Sequence, residues 1–327
     1  MRWRRPVLGA FIAVLLLLAL DTIAWVLACK RLDAGFADAV AQGQQNGWTV
    51  TAGRSRWSGW PVAAEVELPS VMARAGPFVF PSDLLWTADL VRLRLEPFRP
   101  TLLAILVAGR QTVAASGVPV IPFQSRRFAV AIDLTGRAPA RATIAGLEAV
   151  LPNGKLGADS VELSFPPAAI VADAHGVEAP DSSGRALDPK IDQIGLRISA
   201  APPFPVAPTA AESARAWRAA GGRVEVTDLL LQWAALTATG RAAGGLDAEL
   251  QPEADGSVDA SGLPDLLDRF VRSGMLAPSA AVAAKAVLAI LAAPAHGGPV
   301  PLPLSLRGGV LSVARIAVIR LPALAWD

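Results

Sequence analysis

The chain has 327 residues, and its 30 Lys and Arg nearly balance 28 Asp and Glu, for a formal net charge of +2. That balance speaks against a nucleic-acid binder, which needs a basic patch with aromatic platforms. The lone cysteine rules out an intramolecular disulfide, while the length allows a sizeable core.

Val7–Cys29 is the long apolar run with charge on both sides: Arg2, Arg4 and Arg5 before it, Lys30, Arg31 and Asp33 after it. As a helix rising ~1.5 Å per residue, it crosses a hydrocarbon core of about 30 Å. The leading cations keep residues 1–6 in the cytoplasm and send residues 30–327 outside, which in a bacterium is the periplasm. Arg2, Arg4, Arg5, Trp25, Lys30 and Arg31 are the expected membrane-interface residues. Asp21 is awkward, since a charge deep in lipid costs ~2.5–3.5 kcal/mol, but it falls in the outer third of this helix. Asp21-Thr22-Ile23 offers no small-x-small cleavage site, which favours an uncleaved signal-anchor over a secretory leader. Cys29 ends Val26-Leu27-Ala28-Cys29, a loose lipobox, and is a candidate lipidation site. The plainer reading is a small side chain at the end of a membrane helix.

Lys30–Gly47 continues as an amphipathic juxtamembrane helix (30–47), with Leu32, Phe36, Ala39 and Val40 at spacings of three and four and Gly47 closing it. Trp48–Ala52 reads as a first strand. Gly53–Pro61 is turn-rich, and its tryptophans cap a sheet edge. From Val62 the apolar period becomes two, in Val62–Leu68, Val91–Leu95, Phe128–Leu134, Val161–Leu163 and Ile194–Ile198. This alternation marks strands of an antiparallel sheet with one packed and one wet face. Turns are expected at Glu96-Pro97, Gly117-Val118-Pro119, Thr135-Gly136 and Asn153-Gly154, the last a hairpin. Pro180–Pro189 reads as a loop. The proline-rich Ala201–Thr209 divides a β-rich lobe, 48–200, from a second, 210–327. The second lobe starts with a helix at Ala210–Ala220 and strands at Arg223–Trp233 and Leu246–Gln251. A helical pair follows at about 264–293: Pro264–Met275, then Ser279–Ala293 capped by Ser279. A hairpin over Pro301–Ile319 ends the chain.

No HExxH, CxxC, GxSxG, GxGxxG or P-loop pattern occurs. His175 and His296 read as loop residues. Glu65 and Glu67 share a strand face and are the carboxylate pair a hydrolase needs, although glutamates on a wet face ordinarily keep an edge soluble. Asp255–Asp259 lacks the spacing of a calcium loop and reads as a turn. No catalytic, cofactor-binding or metal-binding residue is assigned.

Several features in order carry a family resemblance: the span with its late Trp25, the following helix, and Gly59-Trp60-Pro61 before the first long strand. Later come Ala216-Trp217-Arg218-Ala219-Ala220-Gly221-Gly222, Val224–Trp233 and Gly240–Leu250. With these the chain resembles DUF2125, a family of membrane-anchored envelope proteins found mainly in alphaproteobacteria and without an assigned activity. More loosely it is similar to AsmA-like envelope proteins, whose curved sheets are associated with lipid transport. The expected fold is mainly β (α+β), an N-terminal transmembrane helix followed by a large curved antiparallel sheet with a helical pair near the C-terminus. The expected function is a non-enzymatic, inner-membrane-anchored periplasmic protein holding lipid or another apolar ligand on that sheet. The rival readings are a scaffold that binds envelope proteins and a carboxylate hydrolase.

Overall fold

The structure is a computed structural model describing residues 4–76, 84–115, 118–180, 184–205, 207, 209–272, 278–292, 298–314, 316–321, 323–324 and 326. Among them, sixteen strands form one antiparallel sheet. β1 (Trp48–Thr51) and β2 (Arg56–Ser58) both pair with β3 (Ala64–Ala75). Each later strand then pairs with the next: β4 (Leu85–Glu96), β5 (Arg99–Ala115), β6 (Val118–Asp133), β7 (Ala140–Leu151), β8 (Gly154–Phe165), β9 (Ala169–Val177) and β10 (Ile191–Ala201). The path continues through β11 (Arg223–Trp233), β12 (Leu236–Leu246), β13 (Pro252–Ser261), β14 (Val300–Arg307), β15 (Val310–Val313) and β16 (Ile316–Arg320). Four helices accompany the described sheet: α1 (Arg4–Gln45), α2 (Ala210–Ala219), α3 (Leu263–Arg272) and α4 (Pro278–Ala292).

The expected antiparallel, mainly β architecture is present. The expected curl is not: strand order is linear, β1 and β16 stand at opposite ends, and the sheet is not closed on itself. The proline-rich segment does not interrupt the sheet, because β10 pairs directly with β11 from Gln193↔Gln232 to Ala201↔Arg223. Apolar clusters nevertheless gather near each end, one around Val66, Leu68 and Leu93, the other around Leu236, Ala260 and Leu266.

α1 runs unbroken through the expected anchor and juxtamembrane helix. It stops at Gly47, whose φ of +82° suits glycine and whose N–H reaches Gln44 O at 3.1 Å. No helix among the described residues is long and apolar enough to cross a membrane. The expected span Val7–Cys29 starts before Leu15, where the side chains of α1 lie outside the described residues.

Local chemistry explains the other differences. Of Leu246–Gln251, expected as a strand, only Leu246 is strand, and Asp247–Gln251 is the β12–β13 turn. Asp247 Oδ1 accepts from the N–H of Glu249 (3.0 Å) and Gln251 (2.7 Å), and Leu250 takes a φ of +61°. This is the Asx chemistry that makes aspartate a turn residue. Asp255–Asp259 is strand, in β13, and His175 lies on β9 rather than in a loop. The hairpin at Asn153-Gly154 forms, but Leu151 pairs with Gly154, so Pro152 and Asn153 are its two connecting residues. Helix α4 begins at Pro278, which places Ser279 inside it.

Candidate functional site

Cross-strand register sorts the side chains into two faces. One row runs Val66–Leu93–Ile105–Val130–Ala142–Leu163, each residue opposite the next. It continues Ala172–Leu196–Leu229–Gly240–Val258–Leu302. A second row, starting Leu68–Val91–Val107–Phe128–Ile144–Val161, lies beside it. One face is therefore apolar from β3 to β14.

The opposite face is polar and laced by cross-strand ion pairs. Arg92 Nε lies 3.0 Å from Glu67 and Arg94 Nη1 3.1 Å from Glu65. Arg197 reaches Asp228 at 3.1 Å, and Arg307 reaches Asp255 at 2.6 Å. Glu65 and Glu67 thus share a face as expected, but each is held by an arginine of β4. His175 Nε2 lies 2.6 Å from Asp173, whose other oxygen accepts from Gln193 at 2.8 Å. Two open troughs occur among polar-face side chains. One, of ≈ 830 Å³, includes Gln124, Glu148, Lys155 and Glu178. The other, of ≈ 700 Å³, includes Asp173, Arg197, Asp228 and Arg241. Glu148, Glu178 and Asp228 have partners in Gln124, Lys190 and Arg197. Among the described residues, no group of three or more His, Cys, Asp or Glu side chains is placed to hold a metal ion.

Helices pack at the two ends of the sheet, α1 on β1 and β3, α2 and α3 on β12, α4 on β14. Trp25, Ala28, Cys29, Leu32 and Phe36 form the docking stripe of α1 against the first apolar cluster. Trp25 Nε1 donates to Ala63 O at 3.0 Å, and its ring meets Trp57 edge-on at 6.3 Å. Trp57 Nε1 in turn donates to Asp33 at 2.9 Å. At the other end Leu266 of α3 is buried, and Phe270 packs 5.1 Å from Trp233. Under these helices the sheet is closed off, with Val66 0% and Leu68 2% exposed. Between them the apolar face is buried at Val107, Ala142, Ala149, Ala158 and Val177 and half-buried elsewhere along its two rows. Val130, Ile144, Leu163, Ala172 and Leu196 are all intermediate, and Phe165 and Ile170 are 42% and 48% exposed.

The expected interface residues fall as follows. Arg2 lies outside the described residues. Arg4 and Arg5 open α1, with side chains outside them. Trp25 is docked on the sheet. Lys30 and Arg31 are exposed on α1, and Cys29 is fully buried, its thiol 3.9 Å from Glu65 O. Asp21 is half-buried one turn before Trp25 on the same side of α1, with Oδ2 shielded from solvent and without a hydrogen-bond partner. Leu15, Leu16, Leu17, Leu20, Ile23 and Leu27, by contrast, are exposed. His296 lies outside the described residues.

Sequence reading missed a transverse line of irregularity. Ser70, Gly109, Gly146 and Gly176 have φ of 51°, 83°, 60° and 60°, on β3, β5, β7 and β9. Register slips accompany it at Ala88/Leu90 and Val107/Gln111. Such bulges shift the side-chain phase of a strand. The inward sequence jumps from Leu68 to Val71 on β3, from Val91 to Ala88 on β4, and from Ala174 to Val177 on β9, keeping the apolar side apolar. The legible signal was there: apolar positions three apart within one strand, on β9 beside Gly176.

The C-terminal half has its own anchor in the Trp217 motif. Thr209 caps α2 by accepting from Glu212 N–H at 3.2 Å, and Trp217, 3% exposed, donates to Pro202 O at 2.8 Å. Gly222 lies against the indole so closely that any Cβ would collide with the ring.

No curated protein and no solved structure matches the chain. A family model described as an uncharacterized protein conserved in bacteria (DUF2125) matches residues 25–322, from the docked Trp25 to the end of the sheet, and the chain belongs to that family.

Proposed function

We propose that this protein is a non-enzymatic, inner-membrane-anchored component of the bacterial envelope that binds lipid acyl chains on its apolar sheet face in the periplasm. The observation that carries the reading is the apolar face itself, continuous in register from β3 to β14, covered by helices at its ends and partly exposed between them. Contiguous exposed apolar surface marks a binding site. Acyl chains suit it because its central rows carry neither charge nor hydrogen-bonding pattern. At ~4.8 Å per strand, β5 to β11 gives a track of about 29 Å, close to the thickness of a membrane hydrocarbon core.

The anchor in this reading is the part of α1 before Trp25, whose described leucines are exposed. The three arginines before it favour a cytoplasmic N-terminus. α1 docks beside the first strands of the apolar face, so lipid leaving the bilayer meets the track at the anchored end.

The test is native mass spectrometry of the detergent-extracted full-length protein with parallel lipid extraction. Stoichiometric retained lipid is expected. Lipid-free protein that consistently captures one envelope complex supports the scaffold reading instead and overturns this one.

A further inference from the structure

Two polar side chains interrupt the apolar face on adjacent strands. Past the transverse line, the first inward positions are Val71, Ala88, Leu147, Ala158, Val177 and Ile191 on β3, β4, β7, β8, β9 and β10. On β5 and β6 the corresponding positions hold Gln111 and Ser125. Gln111 pairs with Ala88 on one side and Phe123 on the other, and Ser125 is two residues from Phe123 on the same face. The two are therefore diagonal neighbours, within ~8 Å on the sheet surface.

Gln111 is 1% exposed, yet neither its amide nitrogen nor its amide oxygen has a hydrogen-bond partner. Ser125 Oγ is also shielded and unpartnered. Buried polar groups in folded proteins are almost always satisfied. Leucine or alanine would serve packing alone, as it does on the flanking strands. The neighbouring polar pair on the wet face, Thr87 and Thr112, satisfies itself at 2.7 Å.

We infer that Gln111 and Ser125 form the polar anchor point of the apolar track and receive the acyl carbonyl of a bound lipid. The glutamine amide offers two N–H donors and the serine hydroxyl a third, all suited to a carbonyl or carboxylate oxygen. An acyl chain held there by its carbonyl runs along the central rows with one fixed direction. The inference rests on the lipid reading above and adds to it a ligand class, acyl lipids rather than plain hydrocarbons. The carbonyl belongs either to a free fatty acid or to a phospholipid ester.

The experiment compares the lipid-stripped full-length protein with Gln111→Met, Ser125→Ala and the double variant. The probes are oleic acid, dioleoylphosphatidylglycerol and pyrene, a hydrocarbon without a carbonyl. Expected is a loss of about tenfold in affinity for the carbonyl ligands in the double variant, the size of one to two lost hydrogen bonds, with pyrene binding unchanged. Whichever carbonyl ligand the parent binds more tightly identifies the source. Gln111→Met, an apolar residue of similar length, is also expected to raise the unfolding midpoint without lipid. A purely structural glutamine gives the opposite shift. Unchanged affinity for all three probes in the double variant overturns this inference and leaves the lipid reading standing. A parent that binds none of the three removes both.

Discussion

Leu68 and Leu163 both point into the apolar face, one beneath α1 and the other in its uncovered middle, and truncating each to alanine measures how much of that face is closed. Leu68 is 2% exposed and belongs to the cluster on which α1 docks. Leu68→Ala removes buried methyl groups and leaves a cavity, at a cost of about 3 kcal/mol, or roughly two decades in the folding equilibrium. Leu163 is only half-buried. Its truncation loses part of a transfer free energy worth ~0.8 kcal/mol per methylene and leaves no sealed cavity, so about 1 kcal/mol is expected. Urea titration of the detergent-extracted, lipid-stripped full chain by far-ultraviolet circular dichroism gives both values. The expected gap is about 2 kcal/mol. Adding lipid should widen the total cost of Leu163→Ala, because a ligand that binds the native state stabilises it. Equal costs in the lipid-free protein would refute the open-face reading, since the middle would then be as sealed as the end under α1.

Gly222→Ala should cost ~1–3 kcal/mol in the same assay, because the new methyl meets the buried Trp217 ring; no loss would mean α2 shifts freely. Glu65→Gln breaks a partly exposed pair with Arg94, so a double-mutant cycle is expected to return only ~0.2–1 kcal/mol of coupling. A much larger coupling would point to a role beyond sheet pairing. Asp133, in the β6–β7 turn, is held below the ordinary carboxyl range first by the Thr135 hydroxyl, then by the Thr135 N–H. A depressed carboxyl stabilises the fold above its ordinary value of 3.8 and loses that contribution as pH falls through the lowered value. Thr135→Ala should therefore raise the Asp133 midpoint in an NMR titration, and an unmoved midpoint would contradict the assignment. Cys29, fully buried on the docked stripe of α1, should react with iodoacetamide far more slowly in the folded chain than in urea. Equal rates would show that α1 leaves the sheet readily.

Much of the architecture was legible because its signals are local. Period-two alternation around Val66, Leu93, Val130 and Leu196 reports a half-buried strand whatever it later pairs with. Thr209 before Ala210 and Gly47 after Gln45 mark helix ends through hydrogen bonds made within a few residues. The carboxylates of Glu65 and Glu67 were rightly placed on one face by period alone. Their neutralisation by Arg94 and Arg92 depends on a register that no local pattern states.

What tertiary structure alone decided is non-local. β9 and β13 are rich in Ala, Gly and Asp, and their strand state comes from ladders on both sides rather than from their own propensity. The same ladders put His175 beside Asp173 and carry the sheet past the prolines of Ala201–Thr209. The docked stripe of α1 emerges only when the helix meets β3. Alternation along the chain determined that an apolar face exists. Which part of that face is covered, and that Gln111 and Ser125 stand together on it without partners, followed from strand register and helix docking, because those bring together residues that no short window of sequence contains.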